Sequence, residues 1–329
     1  MYNEFMKYLD LPIIGKVSKI ILGCDHYGET ISEDIAYKQL DIYLERGGNV
    51  LDTARLYGQE YDEGPSTSET LLGRYLKHID RSSVVIATKC GHPCLKDKSK
   101  HRLDSKSLTN DIIESLEELG TMPDILFLHR DEPSLPVGEI METLHSFVQK
   151  GYTRTIGASN WSTSRIEEAN RYAKKHNLTP FMFSELQFSL AHTTKEIWGD
   201  PTLEIMNTEE QIRWYEKTML PYFAFSSQAK GLFSKALSDN IDSLAARAKT
   251  RFLSNINIKR IERVKEIYKI LGTKPSEVVL SYITSQKSNG FAIIGSSKPE
   301  QILDSLSNTD LVLSEDMLRY LDLRSDSLS

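Results

Sequence analysis

Eight short apolar runs, separated by stretches of helical periodicity, constrain this chain more than any other feature. They are residues 20–23 (IILG), 49–52 (NVLD), 84–89 (VVIATK), 124–129 (DILFLH), 153–159 (TRTIGAS), 181–187 (FMFSELQ), 221–226 (PYFAFS) and 291–295 (FAIIG). Several are apolar almost throughout, as strands covered on both faces should be. Between them, residues 34–46 place Ala36, Leu40, Tyr43 and Leu44 on one stripe. Residues 69–76, 108–119, 139–148, 164–175, 258–270 and 275–284 follow the same spacing. Gly47, Gly120, Gly151 and Gly272 follow four of these stretches, where a helix end favours glycine. Eight strands alternating with helices predict an α/β fold, the parallel (β/α)8 TIM barrel. An open doubly wound sheet fits less well, because no GxGxxG follows the first strand. Ahead of that strand, Leu11-Pro12-Ile13-Ile14-Gly15-Lys16 predicts a short N-terminal hairpin at the barrel bottom.

A chain of 329 residues suits one such barrel, and no linker or low-complexity stretch divides it, so residues 1–329 are expected to form a single domain. The net charge of −6 argues against nucleic acid as a partner, since neutralising phosphates needs a basic face. No run approaches the roughly 18 apolar residues of a membrane span. The opening MYNEFMKYLD lacks a basic segment leading into an apolar one, so no signal peptide is expected. Cys24, Cys90 and Cys94 are odd in number and read as free thiols of a reducing, cytoplasmic setting. Residues 191–208, which read as a loop, and 234–257, with a helical, mixed-charge middle, are long insertions after strands, which in a barrel surround the active mouth.

Three consecutive runs end in ionisable residues: Asp52, Lys89 and His129, with Tyr57 following Asp52 in DTARLYG. In a barrel these ends converge on one mouth. A free phenol has a pKa of about 10 and gives up its proton reluctantly near neutrality. A neighbouring ammonium lowers that value, and a drop of about 3 units takes roughly 4 kcal/mol of preferential interaction. Asp52 would keep Lys89 charged and aimed, while His129 would hydrogen-bond a substrate oxygen. Taken singly, Asp52 is also an ordinary turn residue and His129 an ordinary loop histidine. Lys89 alone also fits a Schiff-base lysine. Cys90-Gly91-His92-Pro93-Cys94 raises the question of zinc, but a C-x3-C without a second ligand pair matches known spacings poorly, so no metal is expected.

The chain resembles the aldo-keto reductases. The resemblance runs in order through DTARLYG (52–58), Ser68-Glu69, Leu72-Gly73, IATK (86–89), Leu128-His129, GASN (157–160), Glu185-Leu186-Gln187, FSSQAKG (225–231) and IGSSKPEQI (294–302). It implies a (β/α)8 barrel that reduces carbonyls with NADPH, or in some members NADH, and a small-molecule carbonyl substrate. It maps the family's catalytic tetrad onto Asp52, Tyr57, Lys89 and His129. It assigns the nicotinamide amide to Ser159, Asn160 and Gln187, and ring stacking to Phe225, where many members carry Tyr. Ser226, Ser227 and Gln228 stand where Ser-Pro-Leu is common, beside the pyrophosphate. Gly295, Ser297, Lys298 and Gln301 fall at the adenosine end, with Gln301 where many members have Arg. Arg247 and Arg251, in the long insertion, are candidates for the missing charge on a 2′-phosphate.

Tyr27 and Trp161 fall in mouth loops and are candidate walls of the substrate pocket. Asp25 and His26 make the first loop polar, which favours a hydroxylated or sugar-like substrate. An aldolase needs no such Ser-Asn and Gln set. The resemblance also brings an alternative from another class, a nicotinamide-binding regulatory subunit of a membrane channel. The short stretch ahead of the first strand argues against it.

Overall fold

The computed structural model describes residues 6–59, 64–97, 100–238 and 240–328, so the first five residues of the opening segment lie outside it. Strands β1 (Tyr8–Leu11) and β2 (Gly15–Ser18) form an antiparallel hairpin. Eight parallel strands then close a barrel: β3 (Ile20–Gly23), β4 (Val50–Asp52), β5 (Val85–Cys90), β6 (Ile125–Leu128), β7 (Thr155–Ser159), β8 (Phe183–Gln187), β9 (Tyr222–Phe225) and β10 (Gly290–Ile294). Closure comes from β10 pairing with β3, Ala292 opposite Ile20. Most strands start one or two residues later than the apolar runs. Position 153 shows why: the Thr153 hydroxyl lies 3.0 Å from the Thr155 carbonyl, inside its own segment.

Helices α1 (Glu33–Glu45), α2 (Thr67–Tyr75), α3 (Ser105–Leu119), α4 (Val137–Gln149) and α5 (Thr163–His176) fill the first five connections. The segment between β8 and β9 holds α6 (Lys195–Trp198) and α7 (Glu209–Thr218), and that between β9 and β10 holds α8 (Leu232–Leu237), α9 (Ala246–Phe252), α10 (Asn255–Leu271) and α11 (Pro275–Thr284). After β10 come α12 (Pro299–Ser305) and α13 (Glu315–Leu321). On α1, Ala36, Leu40 and Tyr43 are buried as the stripe requires. Tyr43 does more than pack: its hydroxyl lies 2.8 Å from the Ile20 carbonyl and 2.9 Å from that of Val50, tying the helix to two strands.

The barrel interior is a packed plug rather than a channel. Phe127, Phe183, Phe223 and Phe291 fill it together with Ile21, Val50, Val85 and Ile125. Leu11, Ile14 and Val17 of the hairpin join the same cluster at the strands' N-terminal ends and cover its floor. Phe127 needs Gly157 opposite it: a Cβ there would lie 2.5 Å from the ring.

Candidate active site

Period-two alternation decides which residues face the barrel axis. The inward positions Val50, Val85, Ile125 and Phe127 lead, two residues at a time, to Asp52, Lys89 and His129. Phe183 leads likewise to Glu185 and Gln187, and Phe223 to Phe225. The apolar floor and the polar rim are thus written on the same faces of the same strands.

Lys89, fully buried, is the centre of the rim. Its Nζ donates to Asp52 Oδ1 at 2.6 Å, to the Thr53 carbonyl at 2.9 Å and to the Tyr57 hydroxyl at 3.3 Å. Glu185 Oε1 lies 3.3 Å from the same nitrogen. The Tyr57 ring meets the His129 ring edge-on, centroids 5.9 Å apart. The structure therefore brings together all four groups that the strand ends suggested.

Tyr57 sits on no strand, so its loop must be held. The Ser66 hydroxyl caps α2 by accepting from the Glu69 amide, and it lies 2.8 Å from the Tyr57 carbonyl and 3.1 Å from that of Ala54. The Arg55 amide donates to the Lys89 carbonyl at 3.0 Å. Gly58 adopts a φ of +74°, and a Cβ there would lie 1.8 Å from Thr67 Oγ1. Only glycine makes that turn this close to α2.

Burial opposes charge on Lys89, but Asp52, Glu185 and Tyr57 outweigh it and hold the ammonium well above its ordinary value. Burial pushes Asp52 up, against the pull of Lys89. Burial also pushes Tyr57 up; Lys89 opposes this, while Asp52 and Glu185 reinforce it. The expected lowering of the phenol toward neutrality is thus not the net result: burial outweighs the pull of the ammonium, and Asp52 and Glu185 add to it. Burial, then His92, Arg130 and Lys89, hold His129 well below its usual value, so its ring is neutral.

The other predicted residues divide. Ser159 and Asn160 lie at the end of β7, and Asn160 Nδ2 donates to Ser159 Oγ at 3.0 Å and to the His129 carbonyl at 3.2 Å. Gln187 is buried, its Nε2 donating to Ser189 Oγ at 3.2 Å. Phe225 is half-buried at the rim, edge-on to Trp198 at 6.3 Å. Ser226 has a φ of +52°, the Ser227 hydroxyl donates to the Ile293 carbonyl, and Gln228 Nε2 donates to Ser305 Oγ at 3.0 Å. Gly295, Ser297, Lys298 and Gln301 are exposed beyond β10. Arg247 is exposed on α9, and the Arg251 guanidinium lies 3.7 Å above the Trp198 ring, joining the two insertions.

Tyr27 and Trp161 do not serve as accessible pocket walls. Tyr27 is 1% exposed and donates to Gln39 Oε1 at 3.0 Å; Trp161 is fully buried against Phe181, its Nε1 donating to the Arg130 carbonyl at 3.2 Å. Both rings satisfy their polar atom and pack as core, as large amphipathic rings do.

Two further residues lie against the tetrad without having been assigned a part in the reaction. Glu185 is one, and alternation from Phe183 is the signal that turns it inward. His92 is the other: its ring lies 4.8 Å from His129, edge-on. Among the described residues no group of three or more His, Cys, Asp or Glu is placed to hold a metal ion. No helix among them is long and apolar enough to cross a membrane.

The rim fits a nicotinamide dinucleotide. Two buried polar atoms, His129 Nδ1 and Glu185 Oε2, have no hydrogen-bonding partner. A Cβ built on Gly295 would have nothing nearer than 3.9 Å, which leaves open space beside that backbone.

Residues 19–324 match the family model described as the aldo/keto reductase family. A Schizosaccharomyces pombe protein named as an aryl-alcohol dehydrogenase is 28% identical, over 93% of this chain and 92% of its own length. A second protein of that yeast, named as a voltage-gated potassium channel subunit beta, is 26% identical over 84% of this chain and 80% of its own. The crystal structure of an aldo/keto reductase from Klebsiella pneumoniae with NADP and acetate superposes with a TM-score of 0.67 at 18% identity, covering 94% of this chain and 92% of that one. The barrel, its rim and the match along nearly the whole sequence establish that the chain belongs to the aldo/keto reductase family, whose members are NAD(P)H-dependent oxidoreductases.

Proposed function

We propose that this protein reduces the carbonyl of an aldehyde or ketone to the alcohol, with NADPH as reductant and Tyr57 as proton donor. The observation that carries the reading is the Tyr57 hydroxyl 3.3 Å from Lys89 Nζ, itself 2.6 Å from Asp52. When bound, the cofactor supplies the hydride to the carbonyl carbon. Tyr57 gives its proton to the oxygen, and the resulting phenolate is stabilised by Lys89. With its raised pKa the phenol is neutral at physiological pH, the protonation state that reduction requires. Neutral His129 offers an N–H donor to the same oxygen without adding charge. Asp52 keeps the ammonium aimed. Ser159 and Asn160 would hold the nicotinamide amide, Phe225 would offer a stacking face, and Gly295, Ser297, Lys298 and Gln301 would line the adenosine end. Exposed His26, within 3.4 Å of Asp25 and Glu29, keeps the first loop polar and favours hydroxylated over purely apolar aldehydes.

Tyr57→Phe tests the assignment. It is expected to lower kcat for carbonyl reduction by about 10²- to 10⁴-fold, with NADPH affinity by fluorescence quenching near that of the parent. Full turnover in the variant would remove Tyr57 from the acid role. The relative named as a channel subunit favours a second reading, a nicotinamide-binding sensor with little turnover. NADPH oxidation that depends on added aldehyde, by the purified protein, separates the two.

A further inference from the structure

Strand β8 presents two inward side chains near its end, and Glu185 is the deeper one. Its backbone pairs with Ser159, and its carbonyl accepts from the Asn160 amide at 2.7 Å. Its side chain is 3% exposed, with Oε1 facing the Lys89 ammonium and Oε2 buried without a partner. Asp52 occupies the same ammonium from β4. One buried cation therefore faces two carboxyl groups. Full ionisation would set two negative charges on the one ammonium they contact in a buried site, which is costly and favours a proton on one carboxyl.

Of the two, Asp52 makes the shorter contact to Nζ and Glu185 the longer. Glu185, on the longer contact, is the better placed of the two to keep the proton. Burial pushes it up first and Asp52 second, while Lys89 and Arg130 pull against them. The charged and titratable groups around it are Asp52 at the end of β4, Tyr57 in the loop that follows, Lys89 on β5 and Arg130 behind β6. Asp25, in the loop after β3, adds negative charge toward Asp52 and Tyr57.

We propose that Glu185 is a positioning residue for the proton transfer, a second carboxyl on Lys89 that leaves the ammonium to Tyr57 when protonated and draws it away when ionised. The inference rests on the reductase reading and gives it a built-in response to pH. Ionised Glu185 makes the phenol a weaker acid, so reduction slows as the medium becomes alkaline. It also sets a negative charge beside Ser159 and Asn160, where a positively charged oxidised nicotinamide is favoured over the neutral reduced one.

The test compares the parent with Glu185→Gln, an amide of the same shape. Dissociation constants for NADP+ and for NADPH are measured by tryptophan fluorescence quenching, and kcat for reduction is followed, both from about pH 5 to about pH 10. The 2′-phosphate is common to both cofactors and cancels in their ratio. In the parent, affinity for NADP+ relative to NADPH should rise about tenfold with pH, as one added charge at this range implies, while kcat falls. In the variant the ratio should be flat and the alkaline fall in kcat lost, with NADPH still bound. Parent-like profiles in the variant would overturn the proposal. A flat ratio in the parent would do so as well, whether or not the variant folds. A pH-dependent ratio in a parent that turns over no carbonyl would sink the reductase reading and leave the charge assignment standing.

Discussion

Burial does different work on each carboxyl of this barrel. Glu69 on α2 lies behind the site, fully buried, and accepts from the hydroxyls of Thr88 and Ser115. Burial pushes it up to about 8, against both hydrogen bonds. Its folded-state pKa is raised, so the native protein holds a proton that the unfolded chain loses above about pH 4.5. Stability contributed by this group is therefore present at acid pH and falls as pH rises toward 8. A Glu69→Gln protein should lose less stability than the parent between about pH 5 and pH 8, by about 1 to 3 kcal/mol, read from urea midpoints at the two pH values. Identical pH dependence in both proteins would exclude a protonated Glu69. At this scale the sequence shows which residues end the strands, and so Asp52, Lys89 and His129 are legible. It does not show which charges share a counter-ion, and so Glu185 stays hidden inside the motif that contains it.

Elements succeed or fail as sequence signals according to how apolar their buried face is. The long stripes of α1, α3, α4 and α5 are plain in the sequence. By contrast, α7, α12 and α13 escape periodicity. Only Tyr215 of α7 is buried, and that helix is held instead by a Thr208/Gln211 capping box. Helices α12 and α13 are two turns each, too short for a stripe to repeat. The most consequential element-scale contact is Ser66, which both starts α2 and holds the Tyr57 loop. Ser66→Ala should cost about 1 kcal/mol of stability, as lost caps do, and lower kcat more than it raises KM, since the phenol is placed through this hydroxyl. A variant that melts early yet keeps its kcat would reduce Ser66 to a cap.

The whole molecule separates its tasks along the barrel axis. The alternation of strand and helix, with turn glycines after four helices, makes the barrel readable from the chain. The first insertion reads as a loop and the second as one with a helical middle, but the contact between Trp198 and Arg251 that joins them is not readable, because it links residues far apart in sequence. On the proposed assignment a dinucleotide at the rim would engage β7, β9, β10 and the loops beyond them together, so binding should be felt globally. NADPH at a hundredfold excess over its Kd is expected to add about 2.7 kcal/mol to the folded state, measured as a rise in Tm that adenosine alone does not match. No rise would argue against a preformed site.

The hairpin beneath the barrel has a kinetic corollary. With Leu11, Ile14 and Val17 sealing the base and aromatic rings filling the shaft above them, the described residues close the barrel axis below the buried ammonium and leave it facing the rim, where the proposed reactants would bind. Traffic of hydrogen ions and traffic of small molecules would then meet at the same end of the barrel. An inert analogue lodged there should slow deuterium uptake at the inner strand amides, even though it touches none of them.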